Sequence, residues 1–255
     1  MRTLRLLLRQ IGYEQRSYWR NPSSAFFTFA FPLVLLFIFA TMYRGTPRST
    51  LGGISYAEYF IPGIVAFGVI SACYTNLAIG MCFRRDFGVL KRLRGTPLPP
   101  WVFMAGNIGS SLLVSVLLVV LTTAVGALVY DVRVPVHWAA LTLSLAVGAF
   151  CFCSLGLAIT AWIPNAQASP AVVNGAIFPL LFISGTFFPI DRTTLLGSIS
   201  EFFPVGHFQH AVLAGFDPLR RGSGIEPGDL LTLFVWGAAA LVVAVRSFRW
   251  EPKHQ

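Results

Sequence analysis

Long uncharged apolar segments, separated by short polar ones, dominate the sequence. The first covers residues 24–43 and the second covers residues 59–83. A third, at residues 101–130, begins at Trp101 and ends just before Asp131. An α-helix needs about 20 apolar residues to cross the hydrocarbon core of a bilayer, and each segment reaches that length. The pattern therefore predicts a transmembrane helix in each of the three segments.

The longest uncharged run lies in the second half of the chain and is too long for a single crossing. Pro164 and Pro170 fall in a polar stretch near its middle, and proline interrupts helices. We therefore predict two spans here, at residues 137–162 and 171–190. A further apolar segment at residues 230–249 predicts the last span, which brings the expected number to six.

The segment at residues 193–216 is apolar but contains Glu201, His207 and His210. Its periodicity alone allows another crossing. Such a crossing would place the acidic residues 217–229 in the cytoplasm and the basic C-terminal tail outside, which inverts the usual bias of Lys and Arg toward the cytoplasmic side. We therefore predict that this segment forms a re-entrant or surface-lying helical pair on the outer side.

Arginines alternate with leucine and aromatic residues through residues 1–23, which predicts an amphipathic helix lying in the membrane interface. With six spans, both termini lie on the same side as the basic loop at residues 84–100, so we predict that both are cytoplasmic and that the chain is a multi-pass protein of the cell (inner or plasma) membrane. The predicted fold is an all-α polytopic membrane protein with six transmembrane helices, an N-terminal interface helix and the re-entrant pair, forming a single domain over residues 1–255.

Composition agrees with this prediction. Hydrophobic residues make up 55% of the chain and charged residues 11%, which excludes an ordinary soluble globular protein. The net charge of +9 collects at the ends of the predicted spans instead of forming a basic face on a soluble module. We therefore expect contacts with membrane lipids and none with nucleic acid.

The loop at residues 84–100 is the most charged short segment of the chain, and it ends in a Pro-Leu-Pro-Pro block. Phe87, Leu90 and Leu93 recur at helical spacing and predict an apolar stripe beside a basic face. The pattern leaves two interpretations open: a topology anchor that touches only lipid headgroups, or a docking element for a partner protein.

Candidate chemistry is sparse. The four cysteines, Cys73, Cys82, Cys151 and Cys153, lie in apolar runs without a neighbouring histidine or acid, so we expect neither a disulfide nor a metal site. The predicted spans contain essentially no ionisable groups apart from His137 at the edge of the fourth and Arg246 and Arg249 at the end of the last, which argues against an ion-coupled carrier and an intramembrane enzyme. A G-x-x-x-x-G-K-[ST] phosphate loop is also missing from the sequence, so energy for transport would come from another subunit.

Polar uncharged residues in or near the spans include Asn76, Asn107 and Asn174. Interhelical hydrogen bonds are the simpler interpretation, and lining a substrate path is the alternative. His207 and His210 have the spacing of a metal-binding or pH-sensing pair. Because the sequence offers no evident third ligand, we interpret this pair as interfacial packing.

Two motifs resemble a known family. The loop sequence DFGVLKRLRGTPLP at residues 86–99 and the string FISGTFFPI at residues 182–190, followed by Phe203 and Pro204, resemble the ABC-2-type permease family. This family includes the membrane subunits of daunorubicin-type drug exporters, nodulation-factor exporters and O-antigen or teichoic-acid exporters. The order of the predicted elements resembles the family over nearly the whole chain.

The resemblance implies that the loop carries a coupling helix that docks, with the N-terminal interface helix, on a nucleotide-binding subunit. It also implies that residues 193–216 cap the pathway on the outer side. The implied coupling residues are Asp86, Gly88, Leu90, Leu93, Arg94, Thr96 and Pro97. The residues we associate with a pathway or gate are Asn76, Asn107, Asn174, Ser184, Gly185, Phe187, Phe188 and Pro189.

The expected function is therefore that of a permease subunit in an ATP-binding-cassette exporter for an amphipathic drug-like or lipid- or glycan-linked substrate. The chain itself would be no enzyme and would hold no cofactor, because ATP and Mg would bind two separate ATPase subunits. A second copy of the permease, or a homologous permease, would complete the path. The alternative hypothesis is a membrane scaffold or immunity-type protein that transports nothing.

Overall fold

The computed structural model describes residues 2–42, 56–96, 98–130, 132, 134–187, 195–217 and 222–247. Within these ranges every regular element is helical. The helices are α1 (Arg2–Trp19), α2 (Pro22–Met42), α3 (Tyr56–Ile70), the π-helical segment π1 (Ser71–Asn76), α4 (Leu77–Asp86), α5 (Val89–Arg94), α6 (Pro100–Tyr130), α7 (Trp138–Ile159), α8 (Ser169–Ile183), α9 (Leu195–Phe202), α10 (Pro204–Phe216) and α11 (Pro227–Ser247).

Among the residues that the structure describes, five helical stretches are long and apolar enough to cross a membrane, which confirms the prediction of an all-helical membrane protein. They cover Ala25–Met42, Glu58–Asp86, Trp101–Tyr130, Trp138–Ile159 and Pro227–Ser247. Each overlaps a span predicted from the sequence. The remaining predicted span, at residues 171–190, corresponds to α8, which is apolar but shorter, and residues 188–190 lie outside the described ranges. The sixth crossing therefore stays a prediction.

The end of α8 is set by a local turn. Gly185 has a left-handed backbone with φ of 78°, a conformation that favours glycine. The Ser184 hydroxyl donates to the Leu181 carbonyl at 2.9 Å and so satisfies an acceptor that the helix end leaves open. From the start of α3, the Tyr59 hydroxyl donates to the Gly185 carbonyl at 2.7 Å. The second span and the end of α8 are thereby joined.

The N-terminal helix α1 packs along the first half of α6. At Gly106 and Gly109 of α6 an added Cβ would lie within 3 Å of side-chain atoms of Gln10 and Ile11. Glycine at these two positions therefore allows α1 to approach α6 closely. Gln15 Nε2 donates to the Ser110 carbonyl at 2.9 Å. The helical N-terminal segment predicted over residues 1–23 is present, with a break between α1 and α2 at residues 20–21.

The core of the bundle is built around α7. Its Gly148 receives the ring of Phe208 from α10, and its Phe150 ring lies against Gly237 of α11. Phe152 and Phe208 pack edge to face with ring centroids 5.3 Å apart, and both are fully buried. In both contacts of α7 a glycine on one helix leaves room for an aromatic ring from the other.

Helix α10 runs beside α7 toward the end of the bundle where α7 begins. Phe208, near the start of α10, contacts Gly148 and Phe152, whereas near its end the Gly215 carbonyl accepts a hydrogen bond from the His137 N–H at 3.2 Å. Near the start of α3, Gly63 lies close to Gln209 of α10, and Gly224, shortly before α11, lies against His137. The starts of α3, α7 and α11 therefore share one end of the bundle with the end of α10. We call this the histidine end, and the end that carries residues 84–100 the basic end.

Candidate coupling site

At the basic end the second span turns a sharp corner into α5. Helix α4 ends at Asp86, and Gly88 follows with φ of 68°, which a residue with a Cβ adopts only with strain. The Gly88 N–H donates to the Arg85 carbonyl at 3.1 Å and closes the turn. This corner places the short basic helix α5 across the end of α4.

Arg84 connects α4 to the N-terminal helix and to α6. Its guanidinium forms an ion pair with the buried Glu14 and donates to the Asn107 side-chain oxygen at 2.8 Å. Asn107 in turn donates to the Phe103 carbonyl at 2.9 Å, and Gln10 donates to Glu14 at 2.7 Å. Hydrogen bonds that involve charged groups are about twice as strong as neutral ones, so three helices are held firmly at one point.

Arg85 connects α4 to the residues that follow α7. Only 3% of its side chain is exposed, and it donates to the carbonyls of Thr160 and Ile163, each at 3.0 Å. The last carbonyls of a helix have no partner within the helix, and a cation is favoured there by the helix dipole. Arg85 therefore replaces the missing donors and neutralises the end of α7.

Asp86 binds the connection between α7 and α8. Its Oδ2 accepts a hydrogen bond from the Ala166 N–H at 2.5 Å, and its Oδ1 lies 3.3 Å from Arg85 Nε. Three consecutive residues, Arg84, Arg85 and Asp86, thus connect the corner to α1, α6, the end of α7 and the approach to α8.

The remaining coupling residues implied by the resemblance fall into two groups. Leu90 is fully buried and Leu93 is half-buried against the core, so both hold α5 to its own chain. Thr96 is exposed and its hydroxyl donates to the Leu93 carbonyl at 2.7 Å, where it ends α5. The Arg94 side chain and Pro97 lie outside the described residues.

The outward surface of α5, together with the turn that precedes it, is formed by Phe87, Lys91 and Arg92. Phe87 is 69% exposed, and both basic residues are exposed as well. The sequence pattern places Phe87 in the apolar stripe and Arg85 among the charges of a basic loop, whereas the fold exposes Phe87 and buries Arg85. For the buried ion pair of Arg84, the sequence offers one signal, which is the single acid Glu14 within an arginine-rich segment.

A cavity of about 390 Å³ opens beside this site, between α1, the π1–α4 region and α6. Asn76 and Asn107, two of the predicted pathway residues, both line it. Asn76 also donates to the Thr28 hydroxyl of α2 at 2.9 Å. This residue therefore both forms an interhelical hydrogen bond and lines a cavity.

A second cavity of about 410 Å³ lies at the histidine end. Ser184 and Gly185 line it, whereas Phe187 is buried against Phe67, with ring centroids 5.7 Å apart. Asn174 is half-buried on α8 and lines neither cavity. The fold thus divides the predicted pathway residues between two ends of the bundle, and residues 188 and 189 (Phe188 and Pro189) lie outside the described ranges.

His207 and His210 also line the second cavity and share one partner. Asp229, at the start of α11, lies 2.7 Å from His207 Nδ1 and 2.5 Å from His210 Nδ1. The hydrogen bond to Asp229 raises the pKa of His207 above its ordinary value. The sequence pattern offers no third group for this pair because Asp229 is distant along the chain.

Comparison with known proteins supports the resemblance. Residues 7–216 match the family model described as ABC-2 type transporter. The chain is 27% identical over 225 residues to the inner membrane transport permease YadH of Escherichia coli (strain K12), covering 85% of this chain and 80% of that protein. It is 21% identical over 236 residues to YvfS of Bacillus subtilis (strain 168), provisionally named a transport permease, covering 91% and 93%.

A shorter match joins the chain to Nodulation protein J of Rhizobium leguminosarum bv. viciae, at 35% identity over 75 residues, or 28% of this chain and 29% of that protein. The family model covers most of the chain, and the two long matches to relatives named as permeases cover most of both partners. The chain therefore belongs to the ABC-2 type transporter family.

Proposed function

We propose that this chain is the transmembrane subunit of an ATP-driven exporter, moved by two separate ATPase subunits that bind at the basic end. The observation that carries this proposal is the junction at Arg84, Arg85 and Asp86, which joins the end of α4, directly before the short helix α5, to four other parts of the bundle. A helix that served only as a topology anchor would gain nothing from such internal connections.

Docking would use the outward surface of α5. Phe87 offers an exposed aromatic side chain, which is typical of the centre of protein interfaces. Lys91 and Arg92 add positive charge at its edge and favour an acidic partner surface. Leu90 and Leu93 would act indirectly, by holding α5 rigidly against the core so that force on its surface moves the whole corner.

Transmission would follow the two arginines. A displacement of α5 toward the membrane would act through Arg84 on α1 and α6, and through Arg85 and Asp86 on the α7–α8 connection. The spans would then move as packed units, because close-packed interiors shift between discrete arrangements and do not deform continuously. We infer that rocking of spans one, two and five opens a lateral or central path.

For the topology we propose six crossings with both termini in the cytoplasm. Helix α8 would supply the additional crossing, and α9 with α10 the re-entrant pair. The contacts of α10 with α7 extend from His137 to Phe152, a depth of roughly 20 Å at 1.5 Å per residue, which supports an entry into the bilayer. The basic end would face the cytoplasm because Lys and Arg in short loops favour that side.

For the substrate we propose an amphipathic molecule, either drug-like or linked to a lipid or glycan. Its polar part would use cavities such as the one lined by Asn76, Asn107 and Ser110, while its apolar part remains against the uncharged spans. A second copy of the chain, or a homologous permease, would supply the other wall of the path.

The proposal is tested by purifying the full-length chain in mild detergent with the ATPase that accompanies it. We expect Phe87→Ala combined with Lys91→Glu to release the ATPase, because the exposed aromatic anchor and the positive charge are both lost. Arg246→Glu is the matched control, since it reverses an exposed charge in the last turn of α11 and leaves α5 unchanged.

Retention of the ATPase by the α5 double variant at the wild-type ratio would refute the docking surface. Purification of the wild-type chain without any ATPase would refute the transporter proposal and favour a membrane scaffold. A complex whose ATP hydrolysis does not respond to any candidate cargo would also favour a scaffold.

A further inference from the structure

Four side chains with metal-binding atoms meet at the histidine end. His207 and His210 lie in α10. Asp229 lies in the first turn of α11, and Glu226 is the residue directly before that helix. One ligand atom each from His210, Glu226 and Asp229 lies within 4.8 Å of the others. His207 lies beside this group, with its Nδ1 2.7 Å from Oδ1, the carboxylate oxygen of Asp229 that does not contact His210.

The local structure explains why these groups converge. His207 and His210 are three residues apart on a helix, so they project from the same face. Asp229 lies in the first turn of α11 and points both carboxylate oxygens at this face, one toward each imidazole. Helix α10 and the start of α11 thus bring His210, Glu226 and Asp229 to one place, with His207 in contact with Asp229.

His207 is held in the manner of a metal ligand. Its Nε2 lies 2.7 Å from the Glu201 carbonyl oxygen, to which it donates, and its Nδ1 is directed at Asp229. Histidines that bind metals characteristically donate their other ring N–H to a carbonyl or carboxylate, which fixes the ring orientation. A metal ion between His207 Nδ1 and Asp229 would replace the proton that these two groups share.

A second observation concerns Gln209 on the same helix. Its side chain lines the same cavity of about 410 Å³ and is only 4% exposed, yet neither Nε2 nor Oε1 has a hydrogen-bond partner among the described residues. A buried amide without partners costs free energy, and such groups usually mark a bound water or ligand. A hydrated ion in the cavity supplies water molecules that can pair with this amide.

We propose that His210, Glu226 and Asp229, with His207 as a fourth donor, form a binding site for a divalent transition-metal ion of the Zn²⁺ class. Mixed nitrogen and carboxylate donors suit Zn²⁺, whereas Ca²⁺ and Mg²⁺ prefer oxygen donors alone. The ion joins α10 to the start of α11 and thereby holds the histidine end closed. Binding is independent of the ATPase partnership and is measured without transport.

The test uses the full-length chain in lipid nanodiscs, purified through a tag that contains no histidine and stripped of metal with a chelator. Isothermal titration with ZnCl₂ is expected to show saturable binding of one ion per chain. His210→Gln and Asp229→Asn are each expected to weaken this binding by at least about tenfold, because each removes one donor. His137→Gln is the control, since it removes a histidine outside the cluster.

A second measurement keeps the test decisive if a variant does not fold. Co²⁺ added to the wild-type chain is expected to give the visible absorption of a four- or five-coordinate ion, which Glu226→Gln alters and His137→Gln leaves unchanged. Absence of saturable Zn²⁺ binding by the folded wild-type chain would overturn the proposal. Equal Zn²⁺ affinity of the wild type and of folded His210→Gln and Asp229→Asn variants would overturn it as well.

Discussion

Replacement of Arg85 tests whether its hydrogen bonds to the residues that follow α7 stabilise the turn between α4 and α5 at the basic end. Arg85→Met keeps much of the length and volume of the side chain but removes the hydrogen bonds to the Thr160 and Ile163 carbonyls. A hydrogen bond to a charged group contributes about 1.5–3 kcal/mol, so the two together contribute about 3–6 kcal/mol. The variant also leaves the Thr160 carbonyl at the end of α7 and the Ile163 carbonyl in the connection that follows without the Arg85 donor, which adds to the loss.

The matched control is Arg92→Met, which removes an arginine from the outward surface of α5. Arg92 is exposed, and its side chain donates to the Phe87 carbonyl at 3.2 Å. An exposed interaction of a charged side chain contributes about 0–1 kcal/mol. We therefore expect the melting temperature of Arg85→Met in detergent to fall well below that of the wild type, while Arg92→Met stays close to it.

The size of the expected shift follows from the length of the chain. In a protein of this length, 1 kcal/mol lowers the melting temperature by about 2–4 °C, so Arg85→Met should lower it by about 6 °C or more. Equal melting temperatures for Arg85→Met and Arg92→Met would refute the reasoning.

Asp86→Asn extends the test, because it keeps the shape of the side chain but removes the charge beside Arg85. If the two residues act as one unit, the loss in the double variant Arg85→Met with Asp86→Asn is smaller than the sum of the two single losses. Additive losses would contradict a shared role at the α7–α8 connection.

Two further predictions concern glycines. Gly88→Ala is expected to destabilise the chain by about 1–2 kcal/mol, because φ of 68° is strained for alanine, and Gly88→Asn is expected to cost less; thermal unfolding in detergent compares them. Gly63→Ala is expected to lower the melting temperature, because its Cβ would lie 2.1 Å from the Thr186 carbonyl oxygen. Gly80→Ala, with open space at its Cβ, is the control, and an equal loss in both variants would contradict the close packing of α3 against Thr186.

Much of the fold follows from the order of apolar and charged residues along the sequence. An uncharged run long enough to cross a bilayer must become a helix, because the hydrocarbon core offers no partner for open backbone groups. The five long spans were therefore predictable, and the alternation of arginine with apolar residues predicted the N-terminal helix. The length of α8 was harder to predict, because its end depends on the turn at Gly185 and on the hydrogen bond from Tyr59.

The candidate sites were predictable only in part. The position of the coupling helix followed from its charges and its proline block, but the direction of each side chain did not. Leu90 faces the core and Phe87 faces outward, and this difference depends on the angle at Gly88. The resemblance implies that Asp86 contacts a partner, and the fold also gives it a hydrogen bond from the Ala166 N–H within the chain.

The sequence by itself determined that the chain is a helical membrane protein with a basic end, because burial of apolar side chains and placement of charge are properties of local composition. Only the tertiary structure decided which polar groups meet. Arg84 contacts Glu14, and His207 contacts Asp229, although the members of each pair are far apart in the sequence. The local pattern of residues therefore does not predict these contacts. The physical reason is that a hydrogen bond depends on distances of about 3 Å between atoms, and these are set by helix packing.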